Sequence, residues 1–185
     1  MISQIDLNLI QQAQRGDQQA FRQMVMHYQA FLYAVAFRYL GNAADAEDAV
    51  QEVFIKLWKN LSAYRSEVKM STWLYRILVN HCLDVKKKTS YQKERNQQSV
   101  EAISNHPDSS SPHHELAQTE LTHLYQHAID QLSGMQKMIY VLRDVEDLPS
   151  GEVCQLVNVN EDQVKSNLYH ARKKVQAYIK EHYNE

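Results

Sequence analysis

Glycine and proline are scarce: four and three among 185 residues. None of the seven interrupts a helical repeat. Gly16 precedes Asp17, a candidate helix N-cap, Gly41 follows an apolar pattern ending at Leu40, and Pro107 and Pro112 fall in a polar stretch. Residues used only as punctuation favour an all-α chain. Cysteine is also rare. Cys82 and Cys154 lie far apart and match no metal or redox spacing, so they read as two small buried hydrophobes in a reduced compartment. There is no long apolar run, and Met1–Gln14 has neither the cationic start nor the apolar stretch of a signal peptide. A cytoplasmic chain without direct membrane insertion is expected. Nucleophile elbows, phosphate loops and carboxylate pairs are missing too, so no enzyme activity, small-molecule substrate or cofactor is expected. The formal net charge of only -2 argues against a generic polyanion binder, unless opposite charges are segregated along the chain.

Segregation is what the sequence contains. From Ala20 the apolar residues Phe21, Met24, Val25, Tyr28, Leu32, Val35, Ala36, Tyr39 and Leu40 recur at three and four, which predicts a long helix. A second helix starts near Asp45, with Ala46, Ala49, Val50, Val53, Phe54, Leu57, Trp58 and Leu61 on one stripe and Asp48, Gln51, Glu52 and Lys56 opposite. After a polar loop, Leu74, Ile77, Leu78, Cys82 and Val85 form another buried stripe. Thr72, Arg76 and Asn80 line the other side, and the segment runs out into Lys86, Lys87 and Lys88.

Between about Thr89 and Ser111 the periodicity fades and Gln, Asn, Ser, Glu and Pro dominate, the composition of a linker. The predicted architecture is two small helical domains, residues 1–90 and 113–185, joined by a flexible linker over 91–112. The second half carries helical patterns from Leu116 to Leu132 and from Met135 to Val145. Pro149 suits the first turn of a short helix with Val153, Cys154 and Leu156. A turn at Val157–Val159 follows, then Asn160 and Gln163 as a capping box opening a last helix. A short helix, a tight turn and a longer basic helix form a helix-turn-helix pattern. From Glu161 to Lys180 five cations face two carboxylates. Positive charge is concentrated there and at Lys86 to Arg95.

Two basic surfaces in two helical domains suggest DNA contacted at two places. The segment DAEDAVQEVFIKLW (Asp45–Trp58), followed by STWLYRILVN (Ser71–Asn80), closely resembles region 2 of bacterial sigma factors of the extracytoplasmic-function (group IV) branch. The stretch from Leu132 to Val175 resembles region 4 of the same family. Domain order, linker and length match as well. The resemblance implies an initiation subunit that docks on core RNA polymerase, recognises the minus-thirty-five promoter element through its last helix and opens the minus-ten element with its first domain. It implies core-polymerase contacts at Asp48, Gln51, Glu52 and Lys56, and minus-ten contacts at Tyr64, Arg65, Ser66, Lys69, Trp73, Arg76 and Asn80. Minus-thirty-five contacts are implied at Lys165, Ser166, Tyr169, His170, Arg172 and Lys173. An anti-sigma factor is the further partner expected from the family.

The same residues also have plainer readings. Asp48, Glu52 and Lys56 make an ordinary solvated charge ladder on their own, and Trp73 beside Leu74 reads as a core aromatic. Asn167 and His170 stand where this family commonly has basic residues, which puts the usual base preference in question. A one-component helix-turn-helix regulator would account for Pro149–Val175 and leave Asp45–Asn80 as core and surface. His123 and His127, four apart, could share a metal, with His113, His114 and Glu115 nearby, but no further ligand has motif spacing, so no metal site is expected.

Overall fold

The computed structural model describes residues 5–96 and 114–183, and all regular structure among them is helical. The all-α expectation holds. Helix α1 (Leu7–Gln14) has no counterpart in the sequence reading. The Asp6 carboxylate caps it by accepting from the Asn8 N–H at 3.0 Å, and Ile10 and Ala13 are its buried residues. Helix α2 (Gln18–Leu40) begins under Asp17, whose carboxylate accepts from the Gln19 and Ala20 N–H groups at 2.8 and 3.1 Å. It ends at Gly41, where φ is +74° and the N–H donates to the Phe37 carbonyl at 2.8 Å. Glycine adopts this left-handed cap without a Cβ penalty.

Helix α3 (Ala43–Asn60) starts two residues before Asp45, near which its start is expected, and the Asn42 side chain caps it by accepting from the Asp45 N–H at 3.0 Å. A 3₁₀ turn, Leu61–Ala63, and a short loop lead to α4 (Met70–Asn96). That helix runs through residues 89–96, which their composition assigned to the linker. Lys, Gln, Glu and Arg are good helix formers even when no apolar stripe is present. Residues 97–112 of the expected linker, and His113, lie outside the described residues.

The second cluster contains α5 (His114–Asp130), α6 (Gly134–Tyr140), a π turn at Val141–Val145, α7 (Ser150–Val157) and α8 (Glu161–His182). Pro149 is the N-cap of α7 rather than a first-turn residue. Asn158, at φ +55°, makes the tight turn into α8. The capping box holds: the Asn160 side chain accepts from the Gln163 N–H at 2.8 Å, and the Gln163 side chain accepts from the Asn160 N–H at 3.0 Å.

Ala128, Ile129, Leu132, Ala171 and Val175 form a small core of their own. The remaining buried residues of α6, α7 and α8 belong to one cluster with those of α1–α4. The second cluster of helices therefore packs on the first, chiefly α7 and α6 against α4 and the π turn against α2. Thr72 corrects the expected polar face of α4: it is 7% exposed, and its hydroxyl donates to Glu152 at 2.6 Å. Tyr75 and Val79 are buried as well. Arg38 reaches across to Glu146 at 2.7 Å. Lys137 is buried in an ion pair with Asp130, its ammonium 5.9 Å from the Tyr39 ring centre. Burial lowers the Lys137 pKa, and Asp130 opposes that shift. Among the described residues the buried Tyr39 and Tyr75 hydroxyls have no hydrogen-bond partner.

Candidate nucleic-acid and polymerase interfaces

Loop 64–69 is shaped by a single tyrosine. The Tyr64 hydroxyl donates to the Val68 carbonyl at 2.6 Å and closes the loop on itself. The Tyr64 ring lies 5.3 Å from that of Trp73, tilted by 32°. Burial raises the Tyr64 pKa, so the hydroxyl stays a donor at neutral pH. Between this loop and α4 opens a cavity of about 480 Å³, within the range of roughly 300–1,000 Å³ that small ligands occupy.

Tyr64, Arg65 and Trp73 line this cavity together with Lys56 and Glu67. Trp73 is thus neither wholly core nor wholly free: it is half-buried, packed against the core, and part of the cavity wall. Ser66 and Lys69 are exposed on the same loop without lining the cavity. Arg76 and Asn80 are exposed farther along α4 and do not line it either. Met70 is buried at the start of α4. Asn60 and Ala63, which belong to no sequence motif, line the cavity from the end of α3 and the 3₁₀ turn. Asn60 donates to the Lys56 carbonyl at 2.8 Å, a local C-terminal bond that no periodicity announces.

On α3, Asp48 and Gln51 are exposed and Glu52 and Lys56 half-buried, the last two 3.5 Å apart. Ile55 and Trp58 stand beside them, nearly half exposed. Trp58 was expected on the buried stripe. It sits at the stripe's margin, edge-on to Phe21 with ring centres 4.7 Å apart. The resulting face combines charge with apolar area. Burial, followed by the Lys56 charge, lowers the pKa of nearby His81, so that ring stays neutral at neutral pH.

Val164, Leu168, Ala171 and Val175 anchor α8, turning Lys165, Ser166, Tyr169, His170, Arg172 and Lys173 outward as one exposed face. Not all of its charge is uncommitted. Arg172 makes a bidentate pair with Asp144, at 2.7 and 2.6 Å, and Lys165 lies 3.7 Å from Glu161. Tyr169 is edge-on to His170 at 5.4 Å. The Asn167 amide donates to the Gln163 carbonyl at 2.8 Å.

Among the described residues no three metal-ligating side chains converge, and no helix is long and apolar enough to cross a membrane.

Known proteins share this arrangement. The family model for Sigma-70 region 2 matches residues 24–91, and that for Sigma-70 region 4 matches 122–175. The ECF RNA polymerase sigma factor SigW of Bacillus subtilis is 29% identical over 178 residues, covering 93% of this chain and 95% of that one. The ECF RNA polymerase sigma-E factor of Escherichia coli K12 is 30% identical over 179 residues and 92% of each chain. Among solved structures, CnrH in complex with the cytosolic domain of CnrY superposes with a TM-score of 0.66 at 21% identity, covering 94% of this chain and 96% of that one. The sigma factor RpoE bound to the anti-sigma factor NepR, from Bartonella quintana, gives 0.65 at 20% identity, covering 86% and 96%. With both region models in order and near full-length similarity to curated members, the chain belongs to the ECF sigma factors, non-catalytic initiation factors of bacterial RNA polymerase.

Proposed function

We propose that this sigma factor binds core RNA polymerase through the α3 face of Asp48, Gln51, Glu52 and Lys56, and selects promoters at two elements. Residues 1–90 act on the minus-ten element and residues 113–185 on the minus-thirty-five element. The observation that carries the reading is the Tyr64–Trp73 cavity beside exposed Arg65 and Lys69. An extruded base costs a few kcal/mol to unstack, and capture against an aromatic wall returns roughly 1–3 kcal/mol. Cations next to the cavity attract the phosphates that accompany the base. Arg76 and Asn80 extend that track along α4. On α8, Lys165, Arg172 and Lys173 bind phosphates in the major groove, while Ser166, Tyr169 and His170 meet base edges.

Arg172 reaches DNA with its fork already braced by Asp144. The brace uses the Nε and one Nη2 hydrogen and leaves the Nη1 donors for phosphate. The packing of α7 on α4 holds the two DNA-directed clusters together in the free chain, so the free chain binds promoter duplex weakly and needs core polymerase to engage both elements. An anti-sigma factor is the regulatory partner. The fold shared with two proteins solved as complexes, one of them the sigma factor RpoE with the anti-sigma factor NepR, supports that assignment.

Size-exclusion of the chain with core polymerase, followed by footprinting of free and assembled forms, tests this reading. Co-elution and a footprint only in the assembled form are expected. A tight, specific footprint by the free chain, with no co-elution, would overturn it.

A further inference from the structure

The polar part of the seam between the two clusters of helices is chemically one-sided. The first cluster brings donors: the Arg38 guanidinium near the end of α2, and the Thr72 and Tyr75 hydroxyls on α4. The second brings carboxylates, Glu146 just after the π turn and Glu152 in the first turn of α7. Arg38 meets Glu146 at 2.7 Å, and the Thr72 hydroxyl donates to Glu152 at 2.6 Å. The Tyr75 hydroxyl, in a residue only 2% exposed, has no hydrogen-bond partner among the described residues. We infer that Arg38, Thr72 and Tyr75 form an anion site with two alternative occupants: the Glu146 and Glu152 carboxylates in the free chain, and a backbone phosphate of promoter DNA once the second cluster moves off. The carboxylates are thus a built-in stand-in for DNA. The site rests on the proposed strand-binding role of α4, and adds to it both a phosphate contact and the groups that block it.

Its place on α4 selects the ligand. Thr72 lies one turn before Arg76 and two before Asn80 on the same side of the helix. A strand held by Arg76 and Asn80 and followed toward the start of α4 therefore arrives at the covered donors. The cover is α7, which packs on α4. Tyr75 faces the same carboxylates as its neighbours. Burial, then the Glu146 and Glu152 charges, pushes its pKa up, with Arg38 opposing. The hydroxyl keeps its proton, so it meets an anion as a donor.

Donor count and charge agree with that choice. Two carboxylates in the closed seam satisfy Arg38 and Thr72 and leave the buried Tyr75 donor unpaired, which is costly. They also set two negative charges against one guanidinium. A phosphodiester carries a single charge, matching the one cation, and its oxygens accept from a guanidinium and hydroxyls together.

Binding of fork-junction DNA from a promoter mapped with core polymerase, measured for the free full chain and for the assembled form, tests both occupants. E146Q/E152Q keeps side-chain acceptors for Arg38 and Thr72 and removes both charges. The free variant should bind the fork about tenfold more tightly than the unsubstituted chain, while the two assembled forms bind alike, because assembly has already moved these residues away. No gain in the free chain, or an equal gain in both forms, would overturn the stand-in.

Tyr75→Phe deletes a hydroxyl that has no partner in the closed chain, so stability in urea should not fall. The assembled Y75F chain should nevertheless bind the fork about tenfold more weakly. Unchanged binding would overturn the phosphate contact. Methylphosphonate, an uncharged replacement for one phosphate, is then scanned along the non-template strand. At one linkage it should weaken the unsubstituted assembled chain by a similar factor and should not weaken Y75F further. Equal losses in both chains at every linkage would contradict the site and leave the contacts of Arg76 and Asn80 standing. Failure of the unsubstituted assembled chain to bind the fork would instead remove the strand-binding reading itself.

Discussion

Replacing Arg38 with Met removes the partner of a carboxylate that stays buried. Glu146 has 8% of its side chain exposed and Arg38 has 38%, and the pair at 2.7 Å joins the end of α2 to the π turn. Breaking a fully buried pair from one side costs about 3–5 kcal/mol, whereas exposed pairs are worth about 0–1 kcal/mol. With one partner more than a third exposed, about 2 kcal/mol is the reasoned loss for R38M at neutral pH. E146Q removes the buried charge itself and should cost under about 1 kcal/mol, and R38M/E146Q should resemble E146Q rather than the sum.

The pH dependence separates this account from simple loss of packing. Burial raises the Glu146 pKa above 4.5, outweighing Arg38, which lowers it. The folded state therefore holds the proton more tightly than the unfolded state. This group's contribution is fully present below about pH 4.5 and is lost as pH rises through the raised value. Without Arg38 that value rises further, so the loss deepens and extends to higher pH. Urea unfolding of both chains from pH 4.5 to 7.5 should show the R38M penalty growing with pH. A penalty that is constant across the range, or smaller than that of E146Q, would refute the reasoning.

Tyr64→Phe removes the hydroxyl that closes loop 64–69 on Val68. The loss of about 1 kcal/mol should appear as roughly fivefold weaker strand binding in fluorescence titrations, with little change in melting temperature. Lys173→Ala should weaken promoter binding uniformly across sequences and make the slope of log K against log salt shallower by about 0.9. Burial pushes the Cys82 thiol up to about 12, while Cys154 is only half-buried. Ellman's reagent should therefore label Cys154 in the native chain and reach Cys82 only on unfolding. Leu78→Ala, at a position with no exposed area, should cost about 2–5 kcal/mol in urea unfolding.

Helices α2 and α3 and the helix-turn-helix were legible because their signals are local: an apolar stripe, a capping Asp or Asn, a left-handed Gly. The capping box at Asn160 follows from residues three apart. Helix α1 was not legible, since eight residues give too short a stripe and its hold on the fold comes from Gln14 bonding carbonyls 47 and 50 residues away. Thr72 looked like a member of a polar face because its cover, Glu152, lies 80 residues along the chain. The site divides in the same way. Tyr64, Arg65 and Trp73 could be placed from the family motif and meet at one cavity. The bracing of Arg172 by Asp144, across 28 residues, depends on how α6, which leads into the π turn, packs against α8, and no spacing rule contains that.

Run-off transcription from fragmented genomic DNA, using core polymerase with and without this protein and mapping the start sites, tests the central claim most directly. The account predicts discrete transcripts that require the protein and share two upstream elements, with transcription lost when Trp73 and Arg65 are replaced together. Unchanged transcription by core polymerase in the protein's presence, alongside specific duplex binding by the free chain, would contradict it.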